Sequence, residues 1–228
     1  MKISEVFSSI QGEGLLAGVP SLFIRTSGCN LRCHWCDTPY TSWAPEGDDW
    51  PVERIVDWVK QHPAYRHVVL TGGEPMIQPE LPHLARQLDD LGIHITVETA
   101  GTVAAELPCH LMSISPKLSN STPLEQDGGR WAASHERLRL NEDVLRHLTN
   151  SYVYQLKFVV TRVEDLDEIR PIVDLCGAPA ERVLLMPEGR TGEEIQARAG
   201  WLVELCKATG YRYCPRLHVE LYGNRRGI

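Results

Sequence analysis

Apolar and polar positions alternate along this chain in two periods, and their order predicts a repeating strand–helix architecture. Ser21 to Ser27 is a short run of strand formers, and after Pro51 the residues Val52, Ile55, Val56 and Val59 recur at helical spacing. Val68 to Leu70 reads as a buried strand, followed by a helix with Leu81, Leu84, Leu88 and Leu91 on one face and Gly92 as its stop. Strands are predicted from His94 to Glu98, Leu111 to Ser115, Tyr154 to Val160 and Val183 to Pro187, with a last one near Arg216 to Leu221. Helices are predicted over Val163 to Cys176 and Glu193 to Thr209. From Leu118 to Leu140 the chain turns polar without a clear period, which reads as a surface insertion or mobile loop in a single domain spanning residues 1–228. Strands alternating with helices predict βαβ units, a parallel sheet and right-handed crossovers. Periodicity leaves a doubly wound sheet and an open barrel as alternatives.

Composition narrows the function classes. A 43% hydrophobic content over 228 residues is enough for a substantial core. No long apolar run predicts a spanning helix, and the N-terminal KISEVFSSIQGEG lacks the apolar centre of a signal peptide. A formal charge of −7 gives no basic footprint for nucleic acid, so a small-molecule substrate is the default. The seven cysteines are an odd number, and Cys109, Cys176, Cys206 and Cys214 are scattered singly as small buried hydrophobes. A reducing cytoplasm suits them all.

Cys29, Cys33 and Cys36 are different, because they share the ten residues CNLRCHWCDT. Three thiols so close in sequence can converge on one metal centre. A structural zinc site wants four ligands, and no fourth stands at a standard distance. Iron–sulfur clusters are usually held by four thiolates, so three suggest a cubane with one iron open to a small molecule. A disulfide with a spare thiol, or a non-catalytic zinc module, remains the alternative reading of the residues.

The spacing C-x-x-x-C-x-x-C resembles that of the radical S-adenosylmethionine enzymes. That resemblance implies an open, partial TIM-like (β/α) barrel with its chemistry at the C-terminal ends of the strands. The polar signals fall there: the cysteine loop, TGGEP at Thr71 to Pro75, ETAG at Glu98 to Gly101, and SPK at Ser115 to Lys117. TGGEP resembles the family's GGE motif. The resemblance implies that Glu74 and the Gly72–Gly73 backbone hold the amino group of S-adenosylmethionine. Trp35, Cys36, Asp37, Ser115, Pro116 and Lys117 are its other implied contacts. Glu98, at a strand end, reads equally as a structural carboxylate.

The N-terminal SSIQGEGLLAGVPSLFIRTSGCNLRCHWCDTPY is similar to the signature of the 7-carboxy-7-deazaguanine synthases, and HVELYGN near the end continues the match in order. The implied reaction converts 6-carboxy-5,6,7,8-tetrahydropterin to 7-carboxy-7-deazaguanine with release of ammonia, S-adenosylmethionine acting as a regenerated cofactor beside a 4Fe–4S cluster. Ile10, Gln11 and Gly12 are implied substrate contacts through backbone groups, with Thr71 a further one. Arg25 is the implied partner of the substrate carboxylate, where a planar fork suits bidentate pairing; a salt bridge across the barrel mouth is its structural alternative. Thr38 is the implied ligand of Mg²⁺, for which a hydroxyl is a suitably hard donor. The resemblance also implies a flavodoxin-like or ferredoxin-like reductant and a homodimer. A rival within the superfamily is an activase of glycyl-radical enzymes, whose substrate is a protein.

Overall fold

Strands β1 (Lys2–Ile10) and β2 (Pro20–Thr26) open the chain as an antiparallel pair. A short helix α1 (Pro39–Ser42), a two-residue strand β3 (Asp48–Asp49) and helix α2 (Val52–Lys60) follow. The chain then alternates through β4 (His67–Gly72), α3 (Leu81–Asp90), β5 (His94–Thr99) and β6 (Leu111–Ile114). After helices α4 (Ala132–Leu138) and α5 (Glu142–Ser151) come β7 (Tyr154–Val160), α6 (Leu166–Cys176), β8 (Val183–Pro187), α7 (Gly192–Thr209), β9 (Arg212–Tyr213) and α8 (Leu217–Tyr222). The computed structural model describes all 228 residues.

One sheet runs in the order β3-β1-β2-β4-β5-β6-β7-β8-β9, parallel from β2 onward, and its two ends do not pair. It is the open, partial barrel that the resemblance implies. The central strands are buried on both faces, which explains their continuous apolar runs. The outer helices turn one stripe inward: Val52, Ile55, Val56 and Val59 from α2, and Leu81, Leu84, Ala85 and Leu88 from α3. Leu91, expected on the same face, caps α3 from outside and is exposed. Helix α7 starts with a reciprocal Thr191–Glu194 capping box and stops at Gly210, whose φ of 76° suits glycine.

One strand was not anticipated, and two expectations are corrected. Strand β1 has no apolar alternation to announce it; pairing with β2 makes it a strand, with Phe7 stacked on Phe23 at 5.0 Å. The polar stretch from Leu118 to Leu140 is not a featureless loop: it folds into two 3₁₀ turns and helix α4, with His135 buried. The final "strand" is helix α8. Leu217, Val219 and Leu221 alternate as a strand would, but only Val219 is buried and Leu221 points to solvent.

Candidate active site

The C-terminal ends of β2, β4, β5 and β6 open into one cleft, and the cysteine loop lies at its edge. Cys29, Cys33 and Cys36 all line it as free thiols. Leu31 and Ala100 pack with Cys33 in a small apolar cluster that Cys29, Trp35 and Cys36 adjoin. Burial pushes the Cys29 and Cys33 thiols up to about 12, so binding iron must expel their protons. No three His, Cys, Asp or Glu side chains gather closely enough to share a single ion. Three soft thiolate donors beside an apolar wall, with no fourth ligand from the chain, fit an iron–sulfur cluster.

The two glycines of TGGEP are demanded by packing. A Cβ on Gly73 would lie 2.1 Å from the Gly28 carbonyl oxygen and 2.8 Å from Cys29 Cβ; one on Gly72 would lie 2.3 Å from the Thr26 oxygen. The end of β4 is thereby pressed onto the stretch leading into Cys29, and Glu74 N–H bonds to the Gly28 carbonyl at 2.9 Å. Both glycines line the cleft, but the Glu74 side chain does not. It is fully buried and accepts from Thr99 Oγ1 at 2.9 Å, Ala100 N at 2.8 Å and Met76 N at 3.1 Å. Its oxygens are held by the β5 end and by Met76, with Oε2 accepting only one of these bonds.

Across the cleft, Lys117 Nζ donates to Ser115 O and Ser115 Oγ at 2.7 and 2.8 Å, 6.0 Å from the Trp35 ring. Trp35, Cys36, Asp37, Ser115 and Lys117 line the cleft, whereas Pro116 does not. The Asp37 carboxylate pairs with Arg216.

On the N-terminal side, Ile10, Gln11 and Gly12 reach the cleft, but not with the free backbone expected of all three. Gln11 N–H and C=O are spent on Val19 O at 2.8 Å and Gly18 N at 2.7 Å, closing the turn. The side chain enters instead: Gln11 Nε2 donates to Glu98 Oε1 at 3.1 Å, and Thr71 Oγ1 donates to Glu98 Oε2 at 2.9 Å. Glu98 of β5 thus joins β4 to the turn that follows β1. Gly12 C=O accepts Leu217 N–H at 2.9 Å, leaving its N–H without a protein acceptor.

Arg25 takes the structural salt bridge and leaves room for the other role. Its Nε donates to Glu5 Oε1 at 2.7 Å, its terminal nitrogens carry no protein hydrogen bond, and the residue lines the cleft. Tyr40 OH donates to the same Glu5 oxygen at 2.9 Å. Thr38 lines the cleft with Oγ1 3.8 Å from Cys36 Sγ and 3.4 Å from Thr41 Oγ1. Its hydroxyl fits a cation that keeps most of its waters and takes one protein oxygen.

Sequence reading missed the charges beneath. Lys157 of β7 and Arg216 both pair with Glu13, Arg216 also reaches Asp37 and the Gly189 carbonyl, and Lys157 and Arg216 are almost fully buried. Burial alone would raise the Glu13 carboxyl, but Lys157, Arg216 and His218 hold it far below its ordinary range. Lys157 lies within an apolar strand run and Arg216 at the start of the stretch expected as a strand, so only the "E" of QGEG hints at the network.

Residues 23–176 match the model of the Radical SAM superfamily. The 7-carboxy-7-deazaguanine synthase of Rhodopirellula baltica is 46% identical over 226 residues, covering 99% of this chain and 88% of that protein. The Halobacterium salinarum enzyme of the same name is 44% identical, covering 98% and 91%. Among solved structures, QueE from Escherichia coli superposes with a TM-score of 0.65 at 26% identity, covering 95% of this chain and 94% of that one. With a superfamily match over most of its length and relatives this similar end to end, the chain belongs to the radical S-adenosylmethionine superfamily and, within it, to the 7-carboxy-7-deazaguanine synthases.

Proposed function

We propose that the cleft contracts the ring of 6-carboxy-5,6,7,8-tetrahydropterin to 7-carboxy-7-deazaguanine with loss of ammonia, on one radical S-adenosylmethionine domain. The observation that carries this reading is the meeting of three free thiols and an under-used arginine, Arg25, in one cleft. Cys29, Cys33 and Cys36 would hold a 4Fe–4S cluster, and Gly72, Gly73, Ser115, Lys117 and Trp35 would hold S-adenosylmethionine beside it. When bound, these groups supply reductive cleavage and hydrogen abstraction from the substrate.

The rest falls to the chain's own residues. Glu5 fixes Arg25 through Nε, so the terminal nitrogens are pre-aimed at a carboxylate and little freedom is lost on binding. Gln11 and Thr71 share Glu98, which orients both side chains toward the same volume. The buried Glu13–Lys157–Arg216 group forms a rigid polar floor, and Leu31 and Ala100 keep the cluster side dry. Thr38 would contribute one oxygen to Mg²⁺ between the cysteine loop and the substrate carboxylate.

A flavodoxin-like or ferredoxin-like reductant, a homodimer and a cytoplasmic setting complete the proposal. No helix is long and apolar enough to cross a membrane. Anaerobic reconstitution tests the centre: iron and sulfide should each approach about four per chain, as a cubane demands. Zinc near one per chain would instead favour the non-catalytic module. Turnover of the pterin should rise with added Mg²⁺, whereas an activase would leave it untouched.

A further inference from the structure

Between Thr26 and Pro39 the cysteine loop has no regular secondary structure, so its shape depends on bonds to its surroundings. The Leu118 to Leu140 segment supplies several of them. His135 is buried, and its Nδ1 accepts Arg32 N–H at 3.1 Å. Its Nε2–H then donates to Ser121 Oγ at 2.8 Å, and Ser121 Oγ–H donates to Leu118 O at 2.6 Å. Only the neutral Nε2–H tautomer satisfies this chain.

Beside it, the Asn120 carbonyl accepts Trp35 Nε1–H at 3.0 Å and His34 Nε2–H at 2.8 Å, while His34 N–H bonds to Ser121 O at 2.9 Å. Asn120 is itself anchored through Nδ2 to Val159 O at 3.1 Å and Asp165 Oδ2 at 2.8 Å. The Arg32 guanidinium lies 4.9 Å from the centre of the Trp131 ring. Arg32, His34 and Trp35 stand between and beside the thiols, and all three are tied to one segment. That segment is tied in turn to the end of β7.

We propose that His135 and Asn120 are positioning residues that hold the cysteine loop in its ligand-ready shape, so that the Leu118 to Leu140 segment is a clamp on the cluster site. The proposal rests on the reading of Cys29, Cys33 and Cys36 as cluster ligands. Without the clamp the loop opens more often, its thiols are exposed more, and a bound cluster is lost faster.

The test measures the loop with and without iron. In the reduced apoprotein, alkylation rates of Cys29, Cys33 and Cys36 are followed by mass spectrometry, with Cys176 and Cys206 as internal controls. In the reconstituted protein, iron loss to a chelator is timed and the reduced cluster's electron paramagnetic resonance signal recorded. His135→Leu should speed both loop alkylation and iron loss about ten-fold, the ratio that about 1.4 kcal/mol gives, with the controls unchanged. His135→Asn keeps an acceptor near the Nδ1 position and should restore most of the protection. Trp131→Leu, at a partly exposed site, should give about a three-fold effect by losing the ring under Arg32, and it carries the test if His135→Leu does not fold.

Wild-type loop rates in whichever of these two variants carries the test would overturn the proposal. So would equal acceleration of the control thiols, which would mark a fold-wide effect, or an Asn variant as poor as Leu. Should the wild type protect its loop thiols yet take up no iron and sulfide, the cluster assignment would fall while the loop contacts stood.

Discussion

Glu13 and Lys157 form an ion pair across the floor of the cleft, joining the first loop of the chain to β7 from 144 residues away. Arg216 closes the group from the C-terminal side, 3.0 Å from the other Glu13 oxygen. Two buried cations therefore depend on one carboxylate, and Lys157 has no second acidic partner.

Glu13→Gln should lower the unfolding free energy at neutral pH by about 3–5 kcal/mol, because it strands a buried ammonium. The carboxyl is depressed below its ordinary 4.5, so its contribution is fully present above that pH and is lost as pH falls further. Urea denaturation of both proteins between pH 7 and pH 3 checks this. The difference between them should be constant above about pH 4.5 and shrink below it.

Arg25→Lys keeps the charge but replaces a fork already docked on Glu5 with a point charge. Pterin binding should weaken about 10- to 150-fold, the cost of roughly 1.5–3 kcal/mol for a charged hydrogen bond. Cluster content should not change. Binding measured by calorimetry at matched iron content decides it, and unchanged affinity would return Arg25 to a purely structural salt bridge.

Thr38→Ala removes a hydroxyl whose protein neighbours are only a 3.4 Å contact to Thr41 and a 3.8 Å contact to Cys36. Stability should fall by about 1 kcal/mol or less. Turnover should drop and respond less to added Mg²⁺, with iron content intact. Superimposable Mg²⁺ titrations for the two proteins would remove Thr38 from the metal site.

Gly73→Ala directs a methyl group at the backbone oxygen of Gly28, which no side-chain rotation can relieve. The β4 end and the cysteine loop must separate, so cluster content should collapse, with about 2 kcal/mol or more of stability lost. Gly200→Ala is the control: the position is within α7, has open space around it, and should be stabilised by up to about 1 kcal/mol. Iron content and thermal midpoint of the two variants provide the contrast.

The parallel strands and outer helices were legible because burial on one stripe or on both faces leaves a direct trace in sequence, as at Val52, Ile55, Val56 and Val59. The thiols were legible because all three lie on one loop. What escaped depends on distant partners. Strand β1 exists through its pairing with β2, and Glu74 turned inward because Thr99 and Ala100 offer donors that its own neighbourhood does not reveal. Lys157 sits in the apolar run of β7, where no neighbouring residue reveals its distant partner Glu13. The polar stretch from Leu118 to Leu140 lacked a period because its key residues, Asn120 and His135, serve the cysteine loop rather than the main core.

The most direct test is anaerobic incubation of the reconstituted protein with 6-carboxy-5,6,7,8-tetrahydropterin, S-adenosylmethionine, Mg²⁺ and a reductant, with products resolved by mass spectrometry. Ring contraction in this cleft predicts 7-carboxy-7-deazaguanine and ammonia in equal amounts, many product molecules per S-adenosylmethionine consumed, and no product when Cys29, Cys33 or Cys36 is replaced by Ala. A fully loaded cluster that cleaves S-adenosylmethionine yet leaves the pterin unchanged would contradict it.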